Sequence, residues 1–181
     1  MDAVIVETER LRLRELDTPD LPALRKILQD PQVMVAYEGP FTDAEVQTWL
    51  DRQRRRYQSD GIGLWAVESR STGEVIGQCG LTLQTGSGEE VVEVGYLFRR
   101  DAWGNGYATE AAAGCVAWAF STMQTDAVHA QIRDMNLASM NVAIRLGMTV
   151  RGRFVKHYRG VTMPHLDFAV TRDEWERNGR R

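Results

Sequence analysis

One stretch constrains the fold more than any other. Val91-Val92-Glu93-Val94-Gly95-Tyr96-Leu97-Phe98 is dense in β-branched and aromatic residues and reads as a strand. Arg99-Arg100-Asp101-Ala102-Trp103-Gly104-Asn105-Gly106 interrupts it with two close glycines, and Tyr107-Ala108-Thr109-Glu110-Ala111 begins a helix. A strand, a glycine loop and a helix start make either an anion site or simply a strand-to-helix turn. Glycine lets the backbone turn tightly and lets a ligand approach. The first helical N–H groups are unpaired, and the helix dipole adds positive charge there. Two familiar versions do not match. A nucleotide P-loop needs Lys-Ser or Lys-Thr after its last glycine, and Tyr107-Ala108 stand there. A dinucleotide fingerprint needs a third small residue where Thr109 stands, and a first βαβ unit that is missing upstream.

The remaining chain supplies a frame for this unit. Leu11 and Leu13 alternate with arginines as in a half-buried first strand. Asp17-Thr18-Pro19 starts a helix whose apolar face is Leu21, Leu24, Ile27 and Leu28, ending near Pro31. Thr42-Asp43-Ala44-Glu45 is a capping box, and its helix runs to about Tyr57. The Arg52–Arg56 run on that helix reads as a solvated face or as an acidic-partner contact. Segments 64–69, 75–83 and 91–98 form an antiparallel meander, with turns at 71–74 and 86–90. Gly77 and Gly80 mark a bulge or a close backbone approach. A helix over 106–123 leads to a fifth strand, 128–133, parallel to the fourth by the crossover rule. Helix 138–146 stops at Gly147, and strands near 150–158 and 164–171 finish the chain. The order β-α-α-β-β-β-α-β-α-β-β predicts an α+β fold, a mixed, mostly antiparallel sheet of about seven strands with helices on both faces. The whole chain, 1–181 with a core of about 8–175, reads as one domain.

Composition excludes several classes. A formal net charge of −3 over 181 residues argues against direct nucleic-acid binding. No apolar run is long enough for a membrane span, and no basic-then-apolar leader opens the chain, so a cytoplasmic protein without membrane attachment is expected. Cys79 and Cys115 read as buried thiols, and His129, His157 and His165 lack ligand spacing, so no metal is expected. No oligomer signal separates a monomer from a homodimer.

Glu93-Val94-Gly95-Tyr96, then Trp103-Gly104-Asn105-Gly106-Tyr107-Ala108-Thr109-Glu110-Ala111, resembles the acyl-CoA motif of the GCN5-related N-acetyltransferase (GNAT) superfamily, and most closely its ribosomal-protein N-terminal (RimJ/RimL-type) branch. Asn136-Leu137-Ala138-Ser139 and Leu146-Gly147-Met148 resemble that branch's later helix, and Thr8–Arg14 and Asp167–Val170 have its look. Two positions depart: Asp101 stands where Gln or Arg is usual, and Met148 where an aromatic is usual. The resemblance implies acetyl-CoA as co-substrate, a primary amine as acceptor, and fourth and fifth strands splayed around the pantetheine.

Three chemical needs then select residues. An α-amine, pKa about 7.7–8.0, is roughly a tenth neutral at pH 7, whereas a lysine amine near 10.4 must lose about three units. A protein or peptide N-terminus, ribosomal or other, is therefore the favoured acceptor, ahead of an amino acid, polyamine or aminoglycoside. A non-catalytic acyl-CoA sensor is the alternative of another class. Glu93 is the candidate base, through a water, or else a carboxylate paired with Arg99 or Arg133. Ser139 is the first candidate acid and otherwise a helix cap; Tyr158 is the second and otherwise a packed aromatic. A backbone N–H near Leu97 is expected at the oxyanion. Leu97, Phe98 and Arg99 are expected against pantetheine as a pseudo-strand. Gly104, Asn105, Gly106, Tyr107, Ala108 and Thr109 are expected on the pyrophosphate, helped by Arg99 or Arg100. Asn136 is expected on a pantetheine amide or as a turn residue. Tyr37–Phe41 is expected to line the acceptor groove, with Trp65 or His157 near and Glu38 facing a cationic amine.

Overall fold

The computed structural model describes residues 3–86 and 88–179. In chain order it contains β1 (Val4–Glu7), β2 (Leu11–Arg14), α1 (Leu21–Leu28), α2 (Asp43–Ser59), β3 (Leu64–Ser69), β4 (Val75–Gln84), β5 (Val91–Phe98), α3 (Tyr107–Thr122), β6 (Ala127–Arg133), α4 (Leu137–Arg145), β7 (Thr149–Tyr158), β8 (Val161–Thr171) and α5 (Arg172–Asn178). The strands form one sheet in the order β1-β2-β3-β4-β5-β6-β8-β7. Every neighbouring pair is antiparallel except β5 and β6.

The sheet has eight strands among the described residues, where about seven were expected. The extra strand is β1, which folds back on β2 through a turn closed by Thr8 N–H on the Leu11 carbonyl at 3.0 Å. It is too short to show a period of its own and is held by its partner. The expected fourth and fifth strands are β5 and β6. Helix α5 is also additional. Thr171 and Glu174 make a reciprocal capping box at its start, the same device as Thr42 and Glu45 at α2. Of the expected 86–90 turn, Ser87 lies outside the described residues.

The strand pleat divides the core in two. Leu11, Leu13, Trp65, Val67, Cys79, Leu81, Val92 and Val94 pack with α3 on one face. Leu64 and Ala66 face the other way and pack with α1 and α2 through Leu24, Ile27, Leu28, Val46 and Leu50. The strand glycines serve close approach: a Cβ on Gly80 would stand 2.0 Å from the Gly63 carbonyl oxygen, and one on Gly77 would strike the Phe98 ring. Cys79 and Cys115 are free and buried, with sulfurs 3.6 Å apart. Trp65 sits in the first core, edge-on to Trp118.

One topological feature creates the site. β5 and β6 share a single pair of register partners, Glu93 and His129. β6 is instead laddered to β8 along its whole length, from Ala127 opposite Thr171 to Arg133 opposite His165. Past Glu93 the two strands part. No helix among the described residues is long and apolar enough to cross a membrane.

Candidate active site

The fork opens into a cavity of about 1050 Å³ between the end of β5 and the starts of α3 and α4. Its volume suits a sizeable ligand, and its lining runs from the apolar Val33 and Val35 to the glycine loop and the start of α3. At that end, Gly104 and Gly106 hold φ of +77° and +78°, a region that favours glycine. No side chain caps α3, so its first N–H groups face the opening. The loop is braced by side chains around it. Asn105 Nδ2 donates to the carbonyls of Ala102 and Trp103, both at 3.1 Å. Trp103 Nε1 donates to the Phe98 carbonyl at 3.0 Å. Arg10 donates to the Asn105 carbonyl at 3.0 Å, pairs with Glu110 at 2.6 Å and lies over the Tyr107 ring. The mouth is apolar: Val35, Trp103, Met135 and Leu137 are exposed large side chains around it.

The structure distributes the expected coenzyme residues unevenly. Leu97, Phe98, Gly104, Gly106, Tyr107, Ala108, Thr109, Asn136 and Ser139 line the cavity. Asn105 faces the loop it braces. Arg99 is turned away, its guanidinium 2.6 Å from Asp101 and 3.3 Å from Glu74, and Arg100 pairs with Asp30 at 3.1 Å. The cation that does line the cavity is Arg145, in the last turn of α4. Sequence reasoning missed it because that turn is far from the glycine loop in the chain.

Ladder geometry bears on the oxyanion as well. Arg99 N–H donates to the Ile76 carbonyl, so by antiparallel alternation Leu97 and Gly95 also turn their backbone groups to β4. The groups that face the gap belong to Val94, Tyr96 and Phe98, and Phe98 already accepts from Trp103. The Tyr96 N–H is therefore the donor the fork presents. The Tyr96 hydroxyl donates to the Ser139 carbonyl at 2.8 Å and ties β5 to α4 across the gap.

Asn136, not Ser139, is the cap of α4: its side chain accepts from Ser139 N–H at 3.2 Å. That leaves the Ser139 hydroxyl on the cavity wall without a capping duty. Tyr158 stands on the other side of the fork, at the tip of the β7–β8 hairpin, and is 36 % exposed.

Glu93 projects from β5 to the α1–α2 face. Its Oε2 is closed off from solvent and has no hydrogen-bond partner. Burial pushes its pKa up to about 7, against the nearby charges of Lys156 and Arg56 and a Gln131 backbone N–H, which pull it down. Neither Arg99 nor Arg133 pairs with it: Arg133 is paired with Glu38, which keeps Glu38 from standing free toward a cationic amine. Tyr37 stands half-buried near it, its hydroxyl pushed up to about 12, first by desolvation and then by the charge of Glu93. The β7–β8 hairpin roofs this side, with Arg159 paired to Glu45 at the start of α2 and lying over Phe41. Trp65 is sealed in the opposite core, and His157 is exposed on β7, so neither lines this space as expected. Among the described residues no three His, Cys, Asp or Glu side chains group as for a metal.

A sheet opened at one parallel pair, with a glycine-led helix start in the gap and the half-buried Glu93 where the two strands still pair, is the frame of an acetyl-CoA-dependent acetyltransferase. The chain belongs to the GNAT family: the model described as acetyltransferase (GNAT) domain matches residues 10–149. An uncharacterised Bacillus subtilis protein, YkkB, is 39% identical over 142 residues, covering 78% of this chain and 83% of its own. An Aspergillus fumigatus protein named FsC-acetyl coenzyme A-N(2)-transacetylase is 30% identical over 187 residues, 95% of this chain and 78% of that one. A RimL ribosomal L7/L12 alpha-N-protein acetyltransferase structure with coenzyme A superposes with a TM-score of 0.78 at 16% identity, covering 95% of this chain and 99% of that one, which is a likeness of fold.

Proposed function

We propose that the chain moves an acetyl group from acetyl-CoA to the free N-terminal amine of a peptide or protein, by direct attack while both substrates are bound. The observation that carries this reading is the match between base and acceptor. A base near pKa 7 receives a proton from an α-ammonium of about 7.7–8.0 at a cost of about 1 kcal/mol, and from a lysine ammonium at roughly 4–5 kcal/mol. Gly104 through Thr109 would hold the coenzyme's phosphates with Arg145 nearby, and Leu97 and Asn136 would flank its pantetheine. The Tyr96 N–H would donate to the carbonyl oxygen as charge develops there. Ser139 is placed on the coenzyme side to return a proton to the departing thiolate, with Tyr158 as the second donor from the acceptor side. Both cysteines are sealed behind the sheet, so neither takes up the acetyl group.

A second reading, a small amine as acceptor, is supported by the relative whose name specifies an N(2) transacetylation. Acetyl-CoA-dependent thiol release separates the two. The panel is peptides with free N-termini, the same peptides N-blocked but carrying lysine, amino acids, polyamines and an aminoglycoside. Release confined to free N-termini is the expected outcome. Release confined to the small amines overturns the N-terminal reading.

A further inference from the structure

The face that carries Glu93 holds a second titratable pair that the acetyl-transfer reading leaves unused. His129 is the register partner of Glu93 on β6. Val92 and Val94 beside Glu93, and Val128 and Ala130 beside His129, all belong to the α3-side core, so Glu93 and His129 project to the same, opposite face. His129 Nδ1 lies 3.0 and 3.2 Å from the two carboxylate oxygens of Asp167, on the next strand over. Asp167 is only 5% exposed. A carboxylate held against Nδ1 makes that nitrogen the donor and leaves Nε2 as the basic one. Gln131, two residues along β6 and opposite Asp167, has both its amide nitrogen and its amide oxygen buried without partners. Together with Glu93 Oε2, these orphaned atoms make a buried polar patch at the fork that folding alone does not require.

Glu93 and His129 are both half-buried; Glu93 Oε2 is closed to solvent, and the His129 side chain is 17% exposed. We infer that His129, oriented by Asp167, takes the acceptor's proton from Glu93 and passes it to solvent. In balance, an N–H bond of the ammonium breaks as an O–H forms on Glu93. That O–H then breaks as an N–H forms at His129 Nε2, giving an imidazolium beside the Asp167 carboxylate. The imidazolium loses the proton to water, and one proton leaves per acetyl group moved. The groups that bear on Glu93 are Lys156 from β7, Arg56 from α2 and Asp167 from β8, with the Tyr37 hydroxyl nearby. Asp167 is a positioning residue in this scheme.

The inference rests on Glu93 as base, so the test treats the two separately. His129→Asn keeps an N–H donor for Asp167 but cannot carry a proton, and His129→Gln serves as the second variant. The expected result is a fall in kcat of at least tenfold in both, with KM for acetyl-CoA unchanged. His129→Ala should regain part of its kcat when imidazole is added to the folded protein. Wild-type kcat in His129→Asn from pH 6 to 9, or no response of His129→Ala to imidazole, overturns the relay. Glu93→Gln inactive beside a fully active His129→Asn removes the relay and leaves the base in place. Glu93→Gln at wild-type rate removes both.

Discussion

At the scale of single residues, Glu93 joins function to instability. Its carboxyl has an ordinary value of 4.5 and is pushed up to about 7 by burial in the fold. Between those values the folded chain holds more protons than the unfolded one, so stability falls as pH rises through the window. Replacing Glu93 by Gln removes that loss. We expect Glu93→Gln to unfold in urea with a stability close to wild type at pH 4.5 and up to about 3 kcal/mol greater at pH 8. The same substitution should lower kcat by about 10²–10⁴, as removal of a general base does, with coenzyme affinity kept. Wild-type activity should decline as pH drops below about 7, where Glu93 becomes protonated, and an unchanged rate at pH 5.5 would contradict the assignment. The identity of this residue is legible in the chain. Its isolation from Arg99 and Arg133 is not, because those arginines find Asp101, Glu74 and Glu38 only after folding.

The elements decide how the coenzyme is held. The strand-loop-helix unit from Val91 to Thr122 reads directly from its letters, since β-branched density, two glycines and an alanine-rich helix are all local signals. Gly104→Val should weaken coenzyme A at least tenfold in calorimetry while the thermal transition persists, because a branched side chain at φ +77° costs about 1–2 kcal/mol locally and displaces the loop. Arginine roles depend on which elements meet. Arg145→Ala should weaken coenzyme A severalfold and flatten its salt dependence, whereas Arg99→Ala should leave both as they are. The reverse result would return the phosphate contact to β5. Helix α4 illustrates a boundary misread by one residue with consequences: a start at Leu137 gives the cap to Asn136 and releases Ser139. Asn136→Ala should cost about 1 kcal/mol of stability through the lost cap.

Across the whole molecule, the site exists because β6 sides with β8 rather than β5. The hairpin β7–β8 then reaches back over the α1–α2 segment, where Arg159 meets Glu45 from 114 residues away. An exposed pair of this kind adds at most about 1 kcal/mol to stability. Arg159→Ala should therefore leave the melting temperature nearly unchanged and act on the acceptor KM, with KM for acetyl-CoA constant. What the letters alone determine is most of the elements with a strong period or cap, the glycine turn, and Glu93 and Ser139 as residues of interest, because propensity, glycine and capping act within a few residues. Strand β1 and helix α5 escaped that reading for different reasons: β1 is stabilised by pairing, and the Thr171–Glu174 box is present but follows directly on a strand. Only the tertiary structure decides the fork, the roof, the turning away of Arg99 and the pairing of His129 with Asp167. Each of these joins groups distant in sequence, and register and burial come into being only when the sheet has closed its ladders on both sides of the gap.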